Sequence, residues 1–159
     1  MTTITDWIWL QWERIYPTAS GFTAVVAAFA YGPKMIGMFD GHNWSIENLY
    51  LAILTVATVA SGFTFTTYTF LLTAESGFIG RAKRSIYYRN MLAYVLRATI
   101  LGGVVTVATV PLFIARLAPT EIWSQGNLLL SLWCGLTVGT AAAFYRAAYL
   151  FAIFARQHH

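Results

Sequence analysis

The second of four long apolar stretches carries a regular series of small and hydroxylated residues. They follow one another at spacings of three and four: Thr55, Thr58, Gly62, Thr66, Thr69 and Thr73. At about 100° per residue in an α-helix, this spacing places all six within roughly 60° of a common direction. Such a face allows membrane helices to pack closely, and it also suits the lining of a narrow, uncharged pore in an oligomer. The spacing alone leaves both interpretations open.

Two other apolar stretches carry shorter series of the same kind. One series consists of Thr99, Gly102, Thr106, Thr109 and Phe113. The other has a small residue at every fourth position, at Gly135, Gly139 and Ala143. Small side chains let helix backbones approach one another, so these faces are expected to pack helices or, in part, to line the same pore.

Two basic residues lie within the apolar stretches, where a charge is costly. Lys34 follows Pro33 near the end of the first stretch, and we expect it either to pair with Asp40 or to extend to the outer headgroups. Arg146 lies further from either end of the fourth stretch. Its guanidinium is expected either to snorkel or to face protein or water as a functional group.

A basic segment at residues 74–90 separates the second and third stretches. It holds four of the ten basic residues and one acidic residue. Its candidate regulatory or lipid-binding surface consists of Arg81, Lys83, Arg84, Tyr87, Tyr88 and Arg89. Positive charge beside aromatic rings attracts an acidic partner or ligand, and it equally suits anionic lipid headgroups.

The apolar stretches lack the residues that most membrane enzymes and coupled transporters use. A bis-histidine haem site needs imidazoles inside a helical bundle, but His42 lies in a predicted loop and the other two histidines are at the C-terminus. All six acidic residues lie outside the apolar cores, which argues against proton- or sodium-coupled transport. No metal-ligand spacing, Walker loop, dinucleotide fingerprint or nucleophile elbow occurs. We therefore predict no enzyme activity, cofactor or metal.

The elements that position these residues are predicted to be membrane-spanning helices. The 159-residue chain is 58% hydrophobic and 10% charged, which is more apolar side chain than a soluble domain of this size can cover. Four spans of about 20 residues fill nearly the whole chain and predict one membrane domain. The predicted spans are residues 20–39, 48–73, 91–115 and 126–155. The expected fold is an all-α integral membrane protein with four transmembrane helices in a bundle.

Residues 1–17 are predicted to form a short helix that lies in the membrane surface. The segment is rich in tryptophan and too polar to span, and its apolar residues share one helical face. Pro17 is expected to end this helix. The alternative is a short entry segment packed on the bundle.

The basic segment also predicts the orientation, because loops rich in Lys and Arg stay in the cytoplasm. Both termini are then cytoplasmic, and the loops that contain Asp40 and Glu121 lie outside. Most other basic residues lie at span ends, so the net charge of +4 reflects topology and does not indicate nucleic-acid binding. No cleavable signal peptide is apparent. The expected location is the bacterial inner membrane, as a multi-pass protein.

Part of the chain resembles the cytoplasmic turn of small, four-span bacterial membrane proteins found in anti-phage defence operons. The resemblance covers about 25 residues, in the segments 76–79, 83–88 and 92–98. It implies a membrane effector that a partner protein or a nucleotide-type signal releases to permeabilise the inner membrane.

The expected function is a homo-oligomeric, pore-forming or channel-like effector in the lipid bilayer, with a cytoplasmic regulatory partner or acidic ligand. Two rivals remain. The first is a structural or anchoring subunit of a larger membrane complex, which the many aromatic residues and the missing catalytic groups favour. The second is a small uncoupled transporter that binds an anionic or aromatic solute near Arg146 and the phenylalanines of the second span.

Overall fold

Four long helices make up most of the part of the chain that the structure describes. The computed structural model describes residues 4–42, 44–73, 83, 86–116, 119 and 121–156. The helices are α1 (Ile4–Gly41), α2 (Ile46–Thr73), α3 (Ile86–Ala115) and α4 (Gln125–Arg156). These residues contain no β-strand, and the prediction of an all-α chain is confirmed.

Each helix contains a segment that is long and apolar enough to cross a membrane. The four segments are Ile15–Phe39, Ile46–Thr73, Tyr88–Ala115 and Gln125–Ala152. Large apolar side chains cover much of their outer surface; Phe63, Val107 and Ile114 are each more than 70% exposed. Contiguous apolar surface of this kind is rare on soluble proteins and normal where lipid is the solvent. Four transmembrane-length helices are therefore confirmed, and they fit a multi-pass membrane protein.

Helix α1 runs through Pro17 without a break. The prediction that Pro17 ends a short N-terminal helix is therefore wrong, and a separate interfacial helix is not seen. Proline in a membrane helix is tolerated where hydroxyls and neighbouring helices support the local backbone. Here Ser20 Oγ donates to the Pro17 carbonyl at 3.0 Å, and the same carbonyl lies 3.2 Å from the position that a Cβ at Gly139 would take. A hydroxyl of the same helix and the backbone of α4 therefore both lie close to this turn.

The chain divides into two compact units, of which the first comprises Met1–Ile46 and Arg116–Ala142. It pairs α1 with the N-terminal half of α4. A Cβ added at Gly21 would lie only 2.9 Å from the carbonyl oxygen of Gly135. Backbone approach this close excludes larger side chains, so Gly135 and Gly139 act as helix-packing residues in this unit.

The second unit comprises Glu47–Ala115 and Ala143–His159. It contains α2, α3 and the C-terminal half of α4. Among its described residues, buried side chains cluster at Leu71, Tyr88 and Met91 and again at Val95, Ala98 and Ala147. Every predicted site residue except Lys34 falls within the bounds of this unit.

Candidate functional site

The threonine stripe of α2 lies on the surface of the second unit. This name denotes the series Thr55, Thr58, Gly62, Thr66, Thr69 and Thr73. All six residues are exposed, and no neighbouring atom of the described residues lies within 4 Å of the position that a Cβ at Gly62 would take. At one edge of the stripe, Thr58 Oγ1 lies 3.5 Å from Thr106 Oγ1 on α3. The stripe therefore contributes little to packing within this unit.

The stripe hydroxyls donate to their own helix. The side chains of Thr55, Thr58, Thr66, Thr69 and Thr73 each donate to the carbonyl four residues earlier, at 2.8 to 3.0 Å. Such bonds satisfy the donor without a partner helix, which makes the residue tolerable in lipid. Each hydroxyl oxygen keeps acceptor capacity. The exposed face thus presents hydrogen-bond acceptors.

The corresponding series on α3 is mostly packed. Gly102 and Thr109 are buried, and Thr99 Oγ1 donates to Thr64 Oγ1 on α2 at 2.9 Å. A Cβ added at Gly102 would overlap the Ser61 hydroxyl of α2 and the Phe144 ring of α4. The series ends at Phe113, which is exposed. Most of this face is therefore a helix-packing surface.

Sequence reasoning missed the α2 face that makes these contacts. It consists of buried or half-buried residues at alternating spacings of four and three: Tyr50, Leu54, Ala57, Ser61, Thr64, Tyr68 and Leu71. The heptad-like spacing was a signal that could have identified this face. It points roughly 130° away from the threonine stripe at about 100° per residue. The two faces of α2 are thus clearly separated.

Arg146 contacts the aromatic ring of Tyr94 across the α3–α4 contact. Its Nη2 donates to the Tyr94 hydroxyl at 2.9 Å, and its guanidinium carbon lies 4.0 Å from the ring centroid. Arg146 is half-buried. Stacking on the ring and the hydrogen bond to its hydroxyl offset part of the free-energy cost of removing the guanidinium from water. Sequence reasoning named Arg146 but not Tyr94, because nothing in the spacing of the two residues links them.

Lys34 is exposed on α1. Its Nζ lies 6.0 Å from the ring centroid of Tyr31, at the outer limit of a cation–π contact. The expected pairing partner, the Asp40 side chain, lies outside the described residues. The prediction of that pair stays untested.

Two residues of the basic segment cap the C-terminal end of α2. Lys83 Nζ donates to the Leu72 carbonyl at 2.8 Å, and the hydroxyl of the buried Tyr88 donates to the Leu71 carbonyl. The last carbonyls of a helix have no partner within it and carry partial negative charge, so a cation and a hydroxyl stabilise them. Arg89 is exposed. Arg81, Arg84 and the side chain of Tyr87 lie outside the described residues.

Asn127 is a buried polar residue that sequence reasoning missed. It is fully buried near the start of α4, and its Nδ2 donates to the Phe29 carbonyl at 3.0 Å and the Ile122 carbonyl at 2.8 Å. A Cβ added at Gly32 would overlap its Oδ1. Asparagine in an apolar helix often links neighbouring membrane helices, and here it joins α1 to α4.

No group of three or more His, Cys, Asp or Glu side chains in the described ranges is arranged to hold a metal ion. Cys134 is a free, half-buried thiol on α4. Comparisons of the chain with protein families, with curated proteins and with solved structures find no match. A function for the chain must therefore be inferred from its own residues and their contacts.

Proposed function

We propose that the chain forms a homo-oligomer in the membrane and that the threonine stripe of α2 lines a narrow, uncharged pore. One observation carries the proposal: the stripe is exposed along its whole length, with open space at Gly62, although its residue types match those packed on α3. A polar face in lipid is unfavourable compared with one that meets water or another polar face. Assembly around the stripe provides that water-filled space.

The chemistry of the stripe favours water and cations as the permeant species. The hydroxyl donors are engaged with helix carbonyls at 2.8 to 3.0 Å, and the oxygen lone pairs are left for the lumen. Oxygen acceptors replace part of a cation's hydration shell, whereas an anion needs donors. K⁺ flux is therefore expected to exceed Cl⁻ flux.

The basic segment is the proposed point of regulation. Lys83 holds the Leu72 carbonyl, next to Thr73 at the end of the stripe. An acidic partner or ligand that attracts Lys83 would compete with this contact and free the end of α2. The resemblance to anti-phage defence proteins supplies the biological part of the proposal, a triggered effector that permeabilises the bacterial inner membrane.

Orientation follows from the same segment, and we place both termini in the cytoplasm. Labelling from outside intact cells should modify a cysteine placed at Asn43 and should not modify one placed at Ser85. The opposite pattern would reverse every side assignment made above.

The test of the pore combines particle size with ion flux. Purified protein in liposomes should form a defined oligomer, and Lys83→Glu should raise its K⁺ flux by releasing the end of α2. In that activated background, Thr66→Ile should leave the oligomer intact and sharply lower the flux, because an added apolar group narrows and dewets the lumen.

The matched control is Thr23→Ile. Thr23 is also exposed, and its hydroxyl also donates to the carbonyl four residues earlier, but it lies on α1. Its flux should equal that of the activated parent. A monomeric particle would favour an anchoring subunit or a transporter, and an intact oligomer with undiminished flux in Thr66→Ile would exclude the stripe as a pore lining.

A further inference from the structure

An open apolar cleft lies within the second unit, between α2, α3 and the C-terminal half of α4. It has a volume of about 360 Å³, and the residues used below to describe it are Phe63, Thr64, Thr67, Val95, Ala147 and Phe151. Small-molecule sites in proteins have volumes in this range, and they combine apolar walls with a few polar groups that fix the ligand. The polar groups of this cleft therefore determine what class of molecule fits.

The two hydroxyls in the cleft already have partners. Thr67 Oγ1 donates to the Phe63 carbonyl at 2.9 Å. Thr64 Oγ1 lies 3.0 Å from the Ala60 carbonyl and accepts from Thr99 at 2.9 Å. Both threonines are half-buried, unlike the exposed threonines of the stripe, so little of their remaining acceptor capacity faces the cleft. A ligand with amide, hydroxyl or charged groups would lose its hydration and find few partners there. The lining therefore favours hydrocarbon.

The base of the cleft is part of the protein core. Val95 is 2% exposed and Ala147 is 3% exposed, and both belong to one buried cluster. Phe144 packs against that cluster. Its ring lies close to Gly102 of α3, where a larger residue would overlap it. Phe63 and Phe151 are exposed at the cleft. A fixed base with two aromatic side chains at the opening lets a slender chain make more contacts than it makes on a convex helix surface.

We propose that this cleft binds one acyl chain of a membrane lipid and holds it longer than the surrounding lipid. All three helices contribute from segments of membrane-spanning length, so the cleft opens where acyl chains are available. The residues of α2 that line it point roughly 150° away from the threonine stripe at about 100° per residue. The site is independent of the proposed pore, since it lies on a different face and needs no second copy of the chain.

The experiment uses the full chain in liposomes that contain a trace of phosphatidylcholine with a diazirine in one acyl chain. After irradiation, peptide mapping by mass spectrometry should find the label concentrated on residues 60–67 and 144–151. The α3 face around Val107 and Ile114 is exposed, lies outside the cleft and serves as the internal reference. Uniform labelling of all exposed faces would overturn the proposal.

A pair of variants separates occupation of the cleft from general lipid contact. Ala148 lines the cleft and is exposed, so Ala148→Phe should fill part of it without entering the core. Labelling there should fall roughly twofold or more, because the ring occupies space that the acyl chain needs and removes dispersion contacts between the chain and the cleft walls. Ala141→Phe, an exposed position two turns earlier on α4, should leave the labelling unchanged.

Two further outcomes would also overturn the proposal. Absence of lipid label from residues 60–67 and 144–151, with labelling kept on the reference face of α3, would show that something other than lipid, such as a second copy of the chain, fills the cleft. Equal labelling in Ala148→Phe and the parent, with unchanged circular dichroism and elution volume, would show that the chain does not enter. If Ala148→Phe fails to fold, the distribution of label on the parent still decides the question.

Discussion

The series on α2 and α3 share residue types and spacing, yet the fold buries most of one and exposes the other. On α3, Gly102 and Thr109 are buried. On α2, every member of the threonine stripe is exposed. The difference lies in the opposing surface. Ser61 and Thr64 of α2 face the α3 series, whereas no atom of the described residues lies within 4 Å of a Cβ placed at Gly62. Small-residue spacing therefore identifies a face, and only a complementary surface determines whether that face is covered.

The strongest test of this comparison replaces the glycine in each series. Gly102→Leu should lower the free energy of unfolding by about 1–3 kcal/mol or more, because its side chain overlaps Ser61 and Phe144. Gly62→Leu should not lower this free energy, because no atom of the described residues lies within 4 Å of a Cβ there and Leu has a higher helix propensity than Gly. Unfolding in mixed detergent micelles measures both values. Equal destabilisation would mean that the stripe is also a packing face.

The contrast between covered and exposed residues extends to two arginines. Arg146 contacts Tyr94 through a 2.9 Å hydrogen bond and a stacked ring, and Arg97 is exposed on α3. In a double-mutant cycle with Tyr94→Phe, Arg146→Leu should show a coupling energy of about 1–2 kcal/mol, since a hydrogen bond to a charged group is lost. Arg97→Leu in the same cycle should show coupling near zero. No coupling at Arg146 would show that its hydrogen bond to the Tyr94 hydroxyl does not contribute to stability.

A smaller effect is expected at the end of α2. Tyr88→Phe removes the hydroxyl that donates to the Leu71 carbonyl while it keeps the buried ring. The loss should be about 1 kcal/mol, the usual value for one hydrogen bond within a protein. Arg89→Gln, at the exposed neighbour, is the control and should change stability by less than half of that. A Tyr88→Phe protein as stable as the parent would show that the Tyr88 hydroxyl does not stabilise the end of α2.

The sequence predicted the helices well because apolar stretches of membrane length are a direct compositional signal. The predicted end of a helix at Pro17 was wrong. Helix α1 continues through this residue, and Gly139 packs against the same turn. Sequence analysis also identified the polar face of α2 as a candidate site and missed the heptad-like packing face that contains Ala57 and Ser61. Both faces repeat at intervals of three and four, so periodicity cannot rank them.

The candidate site was predictable only one residue at a time. Arg146 was named from the cost of its charge in an apolar stretch, but Tyr94 lies 52 residues away in sequence and no pattern connects the two. Lys83 was named for its charge, and its contact with Leu72 depends on the path of the connection between α2 and α3. Asn127 was missed because a lone amide at the start of a helix resembles an ordinary capping residue. Contacts between residues that are far apart in sequence can be identified only once the fold is known.

The smallest expected effect comes from single hydroxyl groups, and it tests the comparison without changing side-chain volume. Thr99 Oγ1 lies 2.9 Å from Thr64 Oγ1 on the neighbouring helix and also 2.9 Å from the Val95 carbonyl, whereas Thr66 Oγ1 donates to the Gly62 carbonyl of its own helix at 2.9 Å. A double-mutant cycle of Thr99→Val and Thr64→Val should give a coupling of about 0.6 kcal/mol, the average for such bonds between membrane helices. The cycle of Thr99→Val and Thr66→Val should give none, because the two hydroxyls are not in contact.

Thr66→Val alone should leave the stability of the detergent-solubilised monomer unchanged, since the residue is exposed and its hydrogen bond is local. Measurable coupling between Thr66 and Thr99 would show that the stripe and the covered face act together, and the distinction between the two series would fail.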